Sequence, residues 1–151
     1  MNRKKVPLIA AGFFLIMPVF VTAQTAAELE KVLGTPNVTC AQAAGFVLAA
    51  AQDTSAKNTP KDAFEQAVAK GWFSKETKPE DSITLGKLSF LIMKAFNITG
   101  GAMYTLFPGP RYAFRTMVSR SYIAGTADPA MKVSGERFLH ILGKVLSAAE
   151  G

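Results

Sequence analysis

Ala63-Phe64-Glu-Gln-Ala67-Val68 and Ala113-Phe114-Arg-Thr-Met117-Val118 set the same apolar rhythm, and the segments that they open run in register, without a gap, at an offset of 50 residues. Trp72 and Phe73 fall opposite Tyr122 and Ile123, Pro79 opposite Pro129, and Ile83-Thr84 opposite Val133-Ser134. The helical series Leu88, Leu91, Ile92 and Ala95 then meets Phe138, Ile141, Leu142 and Val145. A further copy of this second half, Val38-Thr39 followed by Ala43, Phe46, Val47 and Ala50, lies 45 residues upstream. A period of this size predicts one supersecondary unit used several times, each copy burying its apolar face against its neighbours.

Nearly every segment has helical spacing, and no useful length alternates with period two. Ala26 to Leu33 predicts a short helix ended by Gly34-Thr35-Pro36. Thr39 is placed to cap the next helix, which runs to about Ala51, with Gln42 completing a capping box. Gln52 to Thr59 is polar and small, as in a solvated linker. Thr59-Pro60 supplies a capping hydroxyl and a proline for the first helical position, and Asp62 suits the positive helix end. That helix carries Ala63, Phe64, Ala67 and Val68 on one face and ends near Gly71. Ser74 to Ser82 is a charged loop; Thr84 caps an apolar helix to Phe96, and Ser134 caps the last one to about Ala149. Between them, Asn97 to Arg111 holds Gly100-Gly101 and Pro108-Gly109-Pro110, and Ala124 to Lys132 repeats the loop of the preceding unit. The unit is therefore helix, a loop of about ten residues, and a capped helix; in the first copy only a tight Gly34-to-Val38 turn joins the two helices.

An amphipathic helix followed by Ala69-Lys-Gly-Trp-Phe73 or Ser119-Arg-Ser-Tyr-Ile-Ala-Gly125, a loop with one proline, and then the stretch Ile83–Phe96 or Val133–Leu146 resembles the S-layer homology repeat. That family's unit ends its first helix in a Gly-Ile-Ile-like turn, passes a Phe-x-Pro loop, and enters a second helix through Ile-Thr-Arg-Ala-Glu. The resemblance covers roughly residues 26 to 147, in copies at about 26–51, 60–97 and 109–147. It implies an all-α single domain of repeated helix-loop-helix units, attached to cell-wall polymer or peptidoglycan at a bacterial surface. The motif arginine falls on Cys40, Leu85 and Gly135, and the motif glutamate on Gln42, Lys87 and Arg137. No copy keeps the arginine, so the family's polymer-binding chemistry does not transfer to those positions. Cations at Lys87 and Arg137 stand nearby, as compensation or by coincidence.

The N-terminus predicts export. Arg3, Lys4 and Lys5 form a positive n-region, Val6 to Phe20 an uncharged apolar h-region, and Val21-Thr22-Ala23 offers small residues to a signal peptidase. The rival is a retained anchor, but the run is broken by Pro18 and falls short of the roughly 20 residues that a span requires. Cleavage after Ala23 makes residues 1–23 a signal peptide, starts the mature chain at Gln24, and lowers the formal charge from +6 to +3. The remaining charges are scattered singly, which excludes the clustered cationic stripe of a nucleic-acid binder. After cleavage no membrane contact is expected, and the protein is placed in the periplasm or at the cell surface.

Enzymatic constellations are sparse, and no enzyme activity or cofactor is expected. His140 is the only histidine and falls on a helix rim. Glu76, Glu80 and Asp81 lie among lysines in a solvated loop rather than as a catalytic pair. One histidine and one cysteine cannot make a zinc site, and the loops are too poor in oxygen for calcium. Cys40 cannot make an internal disulfide and is expected to be a small, partly buried residue rather than a redox or dimer-forming one. Gly100-Gly101 lacks the pattern of a phosphate loop. Asn37-Val38-Thr39 and Asn97-Ile98-Thr99 match the glycosylation triplet but fall at helix boundaries, where Asn and Thr serve as caps.

The stretch Ala102 to Tyr112 has two readings. Leu106, Phe107 and Tyr112 plug a seam between units, or Tyr104, Phe107, Arg111 and Tyr112 form a ligand surface. Amphipathic rings supply contact area at little entropic cost, and arginine stacks on a ring or forks onto a carboxylate. Lys87 and Arg137 complete the set of candidate ligand-binding residues. The expected function is a non-enzymatic envelope binding or anchoring module for cell-wall polymer. The alternative is an adaptor that docks on an envelope protein complex, since Tyr, Phe and Arg also dominate protein hot spots.

Overall fold

The computed structural model describes residues 19–51 and 59–151. Among the described residues the chain is all-α: helices α1 (Val19–Leu33), α2 (Cys40–Ala50), α3 (Pro60–Ala69), α4 (Leu85–Ala95), α5 (Ala102–Leu106), α6 (Pro110–Ser119) and α7 (Gly135–Ala149). The expected n-region and most of the h-region lie outside the described residues, as do positions 52–58 of the expected linker. No helix of the described residues is long and apolar enough to cross a membrane.

Local chemistry sets the helix starts. Thr39 Oγ1 accepts from the Gln42 amide at 3.2 Å, while Gln42 Oε1 accepts from the Thr39 amide at 3.0 Å, a complete capping box. Thr59 and Asp62 make the same reciprocal pair, so Asp62 closes a cap in addition to facing the positive helix end, and Pro60 takes the first turn. Thr84 and Ser134 each accept from the amide three residues on. The helix expected from Ala26 begins earlier, at Val19, because no Gly or Pro interrupts positions 19–33. The segment expected as a loop between Asn97 and Arg111 contains the extra helix α5, and α6 starts at Pro110 without a side-chain cap.

The helices α2, α4 and α7 are each entered through a short extended segment, and these three segments meet. Val38 N–H donates to Val133 O at 2.8 Å, Ile83 N–H to Val38 O at 2.8 Å, and Val133 N–H to Ile83 O at 3.3 Å, closing a ring. Each of these residues directly precedes an N-cap, at Thr39, Thr84 and Ser134. The Cys40, Leu85 and Gly135 amides reach the Asp81, Met131 and Thr35 carbonyls at 2.8–2.9 Å, binding each helix start to a neighbouring loop. These buried main-chain groups are thereby satisfied without a sheet among the described residues.

Packing follows the same order. The helices α3, α6 and α1 lie chiefly against α2, α4 and α7 respectively, and α2 also touches α4 and α7. One core collects Val38, Val47, Leu48, Phe64, Ile83, Leu88, Leu91, Phe114, Met117, Val133, Phe138 and Ile141. Phe46 meets Phe138 edge-on at 6.1 Å and Phe64 stacks on Phe73 at 5.3 Å. The closure between α1 and α7 depends on glycine. A Cβ at Gly135 would run into the Val32 carbonyl, so only glycine allows α7 to start against α1.

Candidate functional site

The three positions on which the expected motif arginine would fall are interior. Cys40 and Leu85 are fully buried, and Gly135 is pressed against the Val32 carbonyl. An arginine at any of them would bury a charge in the core. Burial pushes the Cys40 thiol up to about 11; the Lys87 ammonium opposes the shift and Asp81 adds to it. This thiol is protonated and shielded, the opposite of a reactive one.

The positions on which the expected motif glutamate would fall fasten local structure. Gln42 closes its capping box. Lys87 Nζ donates to Thr77 Oγ1 at 3.3 Å, tying the first turn of α4 to the Ser74–Ser82 loop. Arg137 Nη2 donates to the carbonyls of Ala124 and Thr126 at 3.3 and 3.2 Å, so its guanidinium holds the corresponding loop before α7.

Lys87 and Arg111 come together in an open groove of about 760 Å³ between the start of α4 and α6. Its walls are Thr84, Gly86, Pro110, Phe114, Arg115 and the turn Asp128–Ala130. A Cβ at Gly86 would lie 3.2 Å from Pro129 O, so glycine keeps this wall close-packed, with the Gly86 amide donating to the same oxygen at 2.9 Å. Asp128 spends one carboxylate oxygen on the Ala130 amide at 2.7 Å. The groove thus presents three cationic side chains, one partly engaged carboxylate, and an apolar wall of Phe114 and prolines. Arg115 is the member that the sequence reading missed. It lies four residues after Arg111 on one helix face, and that spacing was the available signal.

Tyr104 and Tyr112 line a second cavity, of about 550 Å³, with Gly100, Gly101, Met103, Arg115, Thr116, Ser119 and Arg120. Arg115 therefore borders both spaces. Tyr104 is only 9% exposed, and its ring meets Phe90 edge-on at 6.3 Å. Lys94 Nζ lies 5.4 Å from the Phe90 ring centroid and 6.0 Å from that of Tyr104. The inward plug in this stretch is thus Tyr104, with Tyr112 half-buried, whereas Leu106 and Phe107 stand out at 68% and 62% exposure. Phe107 and Arg137 join neither space.

His140 is exposed on α7, and among the described residues no three His, Cys, Asp or Glu side chains are grouped to hold a metal. Comparison with protein-family models, curated proteins and solved structures returned no match for the chain.

Proposed function

We propose that this chain is a non-enzymatic, exported envelope module that holds an anionic cell-wall polymer in the groove between α4 and α6. The observation that carries this reading is the gathering of Lys87, Arg111 and Arg115 beside the apolar wall of Phe114 and Pro110. Sugar rings pack on such a wall, and carboxylate or phosphate groups match the fork of an arginine. The open shape suits a long chain that passes through more than a small molecule that must be enclosed.

The related-unit reading belongs with this proposal. Three helix-loop-helix units, similar to S-layer homology repeats, would sit around an approximate threefold axis. The closed ring of Val38, Ile83 and Val133 main-chain bonds supports it, as does the packing of α3, α6 and α1 against α2, α4 and α7. The binding chemistry would differ from the family's, because cations from α6 replace the missing motif arginine. Export with cleavage after Ala23 would deliver the module to its polymer.

Cosedimentation with protein-free sacculi tests this function. The parent protein is expected to pellet with them, and Arg111→Ala/Arg115→Ala to bind at least about tenfold more weakly with an unchanged melting curve, as expected when charge-assisted contacts are lost. Recovery only when envelope proteins are present would replace the polymer reading with the adaptor.

A further inference from the structure

We propose that the outward face of α5, with the cations that flank it, seats the folded protein on the headgroup region of an anionic lipid bilayer. This rests on the exposed triad of α5 rather than on the polymer groove, with which it shares only Arg115, and it departs from the expectation that the folded chain makes no membrane contact.

Seven large apolar side chains are exposed among the described residues, and three of them, Met103, Leu106 and Phe107, fall within one short stretch at 48%, 68% and 62% exposure. Their spacing of i, i+3 and i+4 puts them on one face of a helical turn, confirmed at its end by the Phe107 amide donating to Met103 O at 2.9 Å. Tyr104, on an adjoining face, is buried and packs on Phe90. The short helix α5 is therefore fastened to α4 through Tyr104 and bare over its apolar triad. A bare apolar face of this kind is costly in water unless something covers it.

Charge around the patch selects the cover. Between Asp81 and Asp128 the sequence has no carboxylate side chain, and it has five cations: Lys87, Lys94, Arg111, Arg115 and Arg120. Met103 shares a cavity wall with Arg115 and Arg120. On the other side, Pro108 shares one with Lys94. Cations thus flank the apolar triad on both sides. Leu106 and Phe107 stand outside these cavities, as an outward projection rather than a pocket. A projection inserts into a deformable medium without needing a matching hole. Anionic headgroups around the insertion satisfy Lys94, Arg115 and Arg120 together, each cation near such a surface contributing about fivefold in affinity. Apolar insertion by roughly 5–10 Å with basic residues at the headgroup level is the physics of interfacial anchors. A protein partner would instead require a complementary acidic pocket.

The test uses the full chain with an environment-sensitive fluorophore attached at Thr105→Cys, an exposed position within α5 that leaves the triad intact. Cys40 is fully buried and does not compete for the label. A second sample carries the label at Ser147→Cys, exposed on α7. Vesicles of phosphatidylcholine with about 30% phosphatidylglycerol are expected to shift the Thr105→Cys emission to the blue and raise it severalfold. Phosphatidylcholine alone, or added salt, should weaken the response, and the Ser147→Cys label should stay unchanged. Adding Leu106→Ser/Phe107→Ser should weaken the apparent affinity at least tenfold with the same helical melting curve. A silent Thr105→Cys label on anionic vesicles would overturn the proposal, as would an equal response at Ser147→Cys. A response to envelope protein but not to vesicles would assign the face to a protein partner. A concentration-dependent response without lipid would assign it to a second copy. Because the sacculus assay contains no lipid and this one contains no polymer, the two readings fail separately.

Discussion

Cys40 and Gly135 hold equivalent places at the first positions of α2 and α7, and the neighbouring chain leaves each of them little freedom. The folded thiol is protonated up to about pH 11, whereas its ordinary value is 9.0. Because the folded value is raised, the stabilisation is fully present below pH 9 and is lost as the pH climbs from 9 to about 11. Melting of the parent and of Cys40→Ala across that window should show the stability gap between them shrinking, by roughly 2–3 kcal/mol at most. A constant gap would mean that the thiol is not shielded. At Gly135 the added methyl of Gly135→Ala meets a backbone carbonyl that cannot swing aside. A loss of about 1–3 kcal/mol in chemical denaturation is expected, and an unchanged midpoint would show that α1 does not close on α7 as described. Lys87 and Arg137 illustrate why residue type alone misleads. Both are cations at matching positions, yet Arg137 is committed to two loop carbonyls, while Lys87 fastens its loop and also borders an open groove.

The helices show which signals a sequence carries. Thr39, Thr59-Pro60, Thr84 and Ser134 were readable as helix starts because a capping hydroxyl acts within three residues, and the structure begins α2, α3, α4 and α7 there. Helix α5 was not readable. Five residues are too few to show a period, and glycines and prolines on both sides read as loop. Its inward Tyr104 and outward Phe107 became distinguishable only once the turn existed. The groove cations were visible singly as Lys87 and Arg111, but their meeting depends on α6 lying across the start of α4, a tertiary fact with no local trace. Leu91 on α4 and Ile141 on α7 are both buried. Leu91→Ala and Ile141→Ala should each cost about 2–5 kcal/mol. If either left the melting midpoint unchanged, the alignment of the two helices at the offset of 50 residues would fail.

At the scale of the molecule, a closed arrangement explains how the described residues hold their loops without a disulfide or a sheet. Among the described residues, the ion pair between Lys61 and Glu65 spans 4.0 Å on the exposed face of α3, and such a pair contributes little. Stability rests instead on one apolar core and on main-chain bonds that tie each inner helix start to its neighbours. That rigidity sets the cationic side chains of the outer cleft between α4 and α6 on firm supports. The function proposed for this cleft is to hold an anionic cell-wall polymer. Backbone amide NMR of the labelled protein, titrated with solubilised cell-wall fragments, tests it most directly. Shifts are expected to concentrate at the amides of Gly86, Lys87, Arg111, Phe114, Arg115, Asp128 and Ala130, saturating with fragment and fading as salt is added. Shifts centred elsewhere, or none at fragment concentrations that saturate the sacculus assay, would contradict it.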